Sequence, residues 1–389
     1  MPEAAPNRRL FPALLSAASA YTADISIFPI VLASLTKDFD IGQGDSVMLA
    51  YAYNLALVVG IVPAYFARTQ RILVLLFRIG LAVFALGSLL LVASGGFGGL
   101  LLARVLMGLG AGIFSPLIPS IISVTFADRT RYLSYWATVT GAVCVIAPLS
   151  LVVVAQFWAL RGAVVLILAA SLLALLLGAR QPRMTAGTEA RDAPDGAVAN
   201  APLVLLAVLG TIFIVYGQLT WLLYAVPLKA AGAGLPDAQL ALLGATPWVA
   251  FTAASFAMSK VDRRYFPLCL IAAGVFTAVG LALFVFFPAA SPAGLAGVML
   301  VAGMAMALAN IPSTALAFGC VDASRYGLVS CLDILAARLG GAFYLFQFDW
   351  SAQGLAIVLS SLLLIPLLWR IAVRTAPGSR PAGVLGQRG

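Results

Sequence analysis

Long apolar blocks separated by short polar breaks dominate this chain. Twelve such blocks can be marked off, over 11–35, 46–67, 71–93, 98–124, 132–155, 160–179, 202–230, 238–259, 266–287, 293–318, 327–348 and 351–373. Each is close to the roughly 20 residues that a helix needs to cross the hydrocarbon core of a bilayer. The blocks are continuous rather than the strips of about ten alternating residues that build a membrane barrel. The pattern predicts an all-α polytopic membrane protein with twelve transmembrane helices.

Composition agrees. Of 389 residues, 62% are hydrophobic and 10% charged, and mean hydropathy is +1.06. A soluble domain carries roughly 25% charged residues. The net charge of +9 does not point to nucleic acid, because the cations sit mostly in the breaks. With the N-terminus inside, seventeen of the 23 Lys and Arg residues fall on the cytoplasmic side. Lys37, Arg161 and Lys229 fall outside, and Arg78, Arg104 and Arg338 lie within spans. That bias fits an even number of spans with both termini cytoplasmic. Arg8 and Arg9 are read as the anchor of an uncleaved first helix rather than as an export signal. Arg78, near the end of its span, is expected to snorkel.

Gln181–Ala201 is the one long polar interruption, rich in Ala, Gly, Pro and Asp. It reads as a flexible cytoplasmic linker between a six-helix half over 1–180 and a second over 202–389 with a short tail. An internal repeat supports the division. Asp128, Arg131 and Tyr132 recur 194 positions later as Asp322, Arg325 and Tyr326, and the same offset sets Asp24 against Gln218. Parallel repeats of this kind are one architecture of secondary transporters.

The candidate chemistry lies in the rare polar residues inside the spans. Arg104 stands alone in LLARVLMGLGAG, with Gly108 and Gly112 on its helical stripe and Gly110 nearby. A charge at mid-membrane costs roughly 2.5–3.5 kcal/mol on insertion scales, so it tends to face a cavity or a partner; the rival reading is a packing helix whose arginine snorkels to an interface. The glycines predict a helix that others approach closely. Asp24 lies mid-span, with Tyr21 and Phe28 at i−3 and i+4. If its distance to Arg104 and its solvation change, it takes up and releases a proton; the rival reading is a fixed structural ion pair. Asp333 and Arg338 form a second buried charge set, five residues or about 140° apart, which does not pair along one helix face. It reads either as a gate or second proton site, or as charges neutralised by neighbouring helices. Asn54 is a weaker polar candidate.

Four cysteines lie in or beside apolar blocks without CxxC spacing, histidine is absent, and no phosphate loop is present. No metal site or cofactor is therefore expected, and neither is direct use of ATP or enzyme chemistry.

The chain resembles the major facilitator superfamily over essentially its whole length. Arg104, Gly108 and Gly110 match the R-x-x-x-G-x-G pattern of that family's fourth helix, associated with proton transfer. Asp24 resembles the acidic residue that drug–proton antiporters carry in the first helix. The other motifs are worn. Pro63, Ala67 and Gln70 replace two Gly and an Asp of the 2–3 loop, leaving Arg68 and Arg71, while Asp262, Arg263 and Arg264 stand in the second-half counterpart. The Gly-Pro of the antiporter signature in helix 5 is Ala147-Pro148, with Gly141 upstream. By the same resemblance helices 1, 4, 7 and 10 line a central cavity, which places Gln218, Trp221, Tyr224 and Asn310 on its wall. Trp221 and Tyr21 could then hold a cation over a ring face.

These readings imply a monomeric secondary transporter of the bacterial inner membrane, working by alternating access. Proton-coupled export of a small, amphipathic or cationic organic molecule is the expected task. Uptake of a nutrient or metal chelate by proton symport, lipid flipping, and a non-transporting sensor on the same scaffold are the alternatives.

Overall fold

A computed structural model of the chain describes residues 10–38, 42–66, 70–126, 129–158, 161–179, 201–258, 260–286, 291–321, 325–346, 359 and 362–374. Among these residues the regular structure is helical throughout, without a strand. That is the outcome expected where lipid cannot satisfy a free backbone group. The first half contains α1 (Leu10–Asp38), α2 (Gln43–Tyr65), α3 (Gln70–Ala93), α4 (Phe97–Phe114), α5 (Leu117–Thr125), α6 (Arg129–Trp158) and α7 (Arg161–Ala179). The second contains α8 (Ala201–Gly232), α9 (Asp237–Met258), α10 (Phe266–Phe286), α11 (Pro292–Gly319), α12 (Tyr326–Phe346) and α13 (Leu364–Arg374).

Nine helical segments among the described residues are long and apolar enough to cross a membrane, and α6 and α7 contain shorter apolar stretches, Tyr135–Leu151 and Val165–Leu177. Of the expected span 351–373, most of the first half lies outside the described residues, as do the linker 181–200 and Arg68. The expected span 98–124 is divided into α4 and α5 at Ser115–Pro116, where proline lacks the donor a continuous helical ladder needs.

The fold buries small and polar residues together with part of its leucines, and turns many other large apolar residues outward, unlike a soluble bundle. Leu75, Leu86 and Leu89 of α3, Leu172 and Leu176 of α7, and Leu268 and Phe286 of α10 are all exposed. Facing lipid, they incur no cost, so close packing and polar contacts have to hold the helices together.

Inside the first half, α4 is wedged between α2 and α3, and α1 packs on α6 and α7. The glycines of α4 make the wedge possible. A Cβ at Gly108 would lie 2.9 Å from Ala56 Cβ and closer still to the Tyr53 carbonyl oxygen. One at Gly112 would lie 2.8 Å from Gly60 Cα, and one at Gly110 would meet the α3 backbone 2.5 Å from Phe84 N. The second half repeats the device where α11 meets α9: a Cβ at Gly303 would strike Pro247, 194 positions after Tyr53.

The two halves meet along α2–α12 and α6–α9, with α1 also touching α8 and α9. A shift of 194 residues carries α2 onto α9 and α6 onto α12, so the two seams are counterparts. Cross-half contacts occur towards both ends of the bundle. Tyr51 packs on Phe346, with ring centroids 5.6 Å apart, and Gly327 lies against Ser120.

Overpacking a close approach costs about 1–3 kcal/mol. Gly108→Ala is expected to lower the melting temperature of the purified protein accordingly. Gly98→Ala, where a new Cβ meets nothing within 4 Å, should leave it unchanged.

Candidate functional site

The polar residues of α1, α2, α4, α8 and α12 converge in the middle of the bundle. Asp24 and Arg104, 80 positions apart, form an ion pair with Oδ1 2.7 Å from Nη1. The pair is sealed, at 0% and 1% exposure. The Arg104 guanidinium is held between two rings, 3.5 Å from the Phe28 centroid and 4.0 Å from that of Tyr53. Nη1 also points at Met107 Sδ, 3.8 Å away. Two aromatic faces offset part of the cost of burying a cation.

The pairing is single, not a fork. Asp24 Oδ2, Arg104 Nε and the Tyr53 hydroxyl have no hydrogen-bond partner among the described residues. A guanidinium and a carboxylate can make two parallel bonds, and the bidentate form is the stronger. Here one carboxylate oxygen is buried without a bond of good geometry, with the Tyr53 hydroxyl close enough to act on Asp24.

The second arginine crosses the halves. Arg338 Nη2 of α12 donates to the Tyr21 hydroxyl of α1 at 2.5 Å, and the guanidinium lies 5.7 Å from that ring's centroid. Tyr21 packs edge-on against Phe114, and Phe28 against Tyr224 of α8. The charge of Arg338 also acts on Asp24, Tyr53 and Tyr224. Asp333 forms no ion pair with Arg338, in keeping with the 140° between them, and its Oδ1 is buried without a hydrogen-bond partner among the described residues.

Other candidates are placed differently. Gln218 is fully buried and donates to the Tyr344 hydroxyl of α12 at 3.3 Å, inside its own half. Trp221 packs edge-on against Phe284 of α10. Both rings expected to hold a solute cation thus have protein neighbours, Phe284 for Trp221 and Arg338 for Tyr21. Asn54 donates to the Ala50 carbonyl at 2.9 Å, and a Cβ at Gly341 of α12 would sit 3.4 Å from its Oδ1. Asn310 is half-buried, and its carbonyl accepts from Ser313 and Thr314 just where Pro312 interrupts the backbone ladder. Asp262 accepts from the Arg264 N–H and lies 3.6 Å from that side chain on the surface. Arg71 is exposed, Arg263 lies in a one-turn 3-10 helix with its side chain outside the description, and Pro148 is buried in α6. Tyr53, Met107 and Tyr344 are site residues that sequence reasoning passed over. An aromatic or methionine in an apolar span looks like any packing residue.

Removing one partner of a buried pair leaves an uncompensated charge, at a cost of about 3–5 kcal/mol. Arg104→Gln is therefore expected to lower thermal stability sharply. Adding Asp24→Asn to that variant should recover most of the loss, and a double variant no more stable than Arg104→Gln would mean the two residues are not coupled.

Comparison with known proteins agrees with this fold. Two solved structures share the fold over nearly their whole length. One is an auto-inhibited POT family peptide transporter, with TM-score 0.73 and 10% identity, covering 97% of this chain and 99% of that one. The other is a bacterial homolog of the human lysosomal transporter Spinster, inward-facing and unoccupied, with TM-score 0.66 and 13% identity over 94% and 96% of the two chains. An uncharacterized MFS-type transporter from Mycobacterium tuberculosis is 32% identical over 129 residues, which are 33% of this chain and 22% of that protein. The chain thus spans about a fifth of the length of that relative. The sequence profile of the Major Facilitator Superfamily matches residues 13–345, and the chain belongs to that family of membrane transporters.

Proposed function

We propose that this protein is a proton-coupled secondary transporter that exports a small organic solute by alternating access. The two halves, 1–180 and 202–389, move about the 181–201 linker. The observation that carries the reading is the single bond of the Asp24–Arg104 pair, which leaves Asp24 Oδ2 without a hydrogen-bond partner. A proton can add at that oxygen while Oδ1 stays where it is. The carboxylate then loses its charge and its hold on Arg104, which keeps its two ring faces. The groups that feel the change include Tyr53, Tyr224 and Arg338, and Arg338 bonds across the halves. Proton occupancy is thereby linked to the packing of α1 against α12. No step calls for a cofactor or for ATP.

The direction of export rests on the likeness of spans 1 and 4 to those of proton-coupled antiporters. A bacterial inner membrane, cytoplasmic termini and a monomeric state complete the proposal.

The deciding experiment uses purified protein in liposomes with an imposed pH gradient, wild type beside Asp24→Asn. Gradient-driven solute flux is expected in the wild type and absent in the variant, with the variant still monodisperse on gel filtration. Equal coupling in both would remove Asp24 from the role. The topology has its own check. Trypsin should cut between Arg183 and Arg191 in inverted vesicles, giving two fragments of about half the mass, and should leave that segment intact in right-side-out vesicles.

A further inference from the structure

The central charges do not balance, and the excess lies on the less buried of the two arginines. Two guanidinium groups, Arg104 and Arg338, lie near one carboxylate, Asp24, whose bonded oxygen is already taken by Arg104. Among the described residues no carboxylate comes within ion-pair distance of Arg338. Among the described residues its one hydrogen bond goes to the Tyr21 hydroxyl. Asp333, five residues away on the same helix, does not supply the missing charge.

Accessibility separates the two arginines. Arg104 is closed off, and its Nε is buried without a partner. Arg338 and Tyr21 are only half-buried. The remaining guanidinium nitrogens of Arg338 have no hydrogen-bond partner among the described residues and are not sealed from the surrounding space. A guanidinium carries five N–H donors, so most of its capacity is unused.

Such a cation at mid-membrane depth is costly unless something pairs with it. A planar fork of donors matches a carboxylate or phosphate group in two parallel bonds. Around it stand Tyr21, Tyr53 and Tyr224 from α1, α2 and α8, ring surfaces suited to an apolar or aromatic body.

We propose that the solute is an organic anion, a carboxylate or phosphate ester on a small aromatic or apolar body, whose anionic group pairs with Arg338. The proposal rests on the transporter reading but replaces the cationic solute expected from the aromatic residues. Because the anion would bridge α12 to the tyrosines of α1 and α2, its arrival would also change the Arg338–Tyr21 contact between the halves.

The test reads binding rather than flux, in detergent and without a gradient, so that failure here and failure of the transport reading are told apart. Four probes of like shape are titrated into the full-length protein and followed by thermal stabilisation and calorimetry: phenylacetate, phenyl phosphate, phenylacetamide and phenethylammonium. Saturable binding of one or both anions is expected, with neither the amide nor the ammonium competing. The relative affinities of phenylacetate and phenyl phosphate would say which anionic group the site prefers. Arg338→Gln should weaken anion binding at least about tenfold, the loss of a charge-assisted pair. Arg338→Lys, which keeps the charge without the fork, should lie between. The inference is overturned if the amide or ammonium binds as well as the anions, if monodisperse Arg338→Gln binds them like wild type, or if neither anion binds saturably at millimolar concentration. Anion binding without gradient-driven flux would leave this inference standing and remove the transport reading.

Discussion

A guanidinium inside an apolar bundle has nowhere to put its charge except onto another protein group, and the geometry of the first half follows from that need. Arg104 reaches Asp24 on α1 and the ring of Tyr53 on α2 only because α4 approaches α2 backbone to backbone. The approach depends on Gly108 and Gly112, and Gly110 does the same towards α3. In lipid there is little hydrophobic drive between helices, so close contact and a few polar bonds carry the assembly. The small residues and the buried charge are two aspects of one arrangement.

The two halves share a scaffold but not a chemistry. The seams α2–α12 and α6–α9 are related by the repeat, and Gly303 against Pro247 echoes Gly108 against Tyr53. At the same 194-residue offset, Asp24 corresponds to Gln218, Arg104 to Val298 and Arg338 to Cys144. Cys144 and Arg338 both come to the same turn of α1: the thiol sulfur lies 3.9 Å from the Thr22 carbonyl oxygen, and the guanidinium bonds to the Tyr21 hydroxyl. A symmetric fold therefore holds an asymmetric set of charges. The enclosed pair lies in the first half, and the accessible cation is contributed by the second.

That division of labour gives the centre two distinct kinds of cation. Arg104 has a carboxylate and two rings, with its Nε and the second carboxylate oxygen buried and left without hydrogen-bond partners among the described residues. Arg338 has a hydroxyl and an open side. In the proposed cycle a proton acts on the first and a solute anion on the second, and both would influence the seam between α1 and α12. Coupling of this sort asks only that each ligand favour one packing of the halves over the other.

Much of this was legible in the sequence. Span positions follow from run length, because hydrocarbon thickness sets helix length. The repeat was visible in Asp128 and Asp322, and Asp24 and Arg104 stood out because charges are rare inside spans. The break at Pro116, within the span drawn as 98–124, emerged only in the structure, where α4 gives way to α5. Helical periodicity says which residues share a stripe, but not which neighbour the stripe meets. Trp221 could thus be set on a cavity wall from sequence and yet pack on Phe284. The sealing of Arg104 between Phe28 and Tyr53, and the 317-residue leap from Arg338 to Tyr21, were decided by tertiary packing alone. A lone charge in an apolar run declares that it needs a partner, and only the approach of helices distant in sequence determines what that partner is.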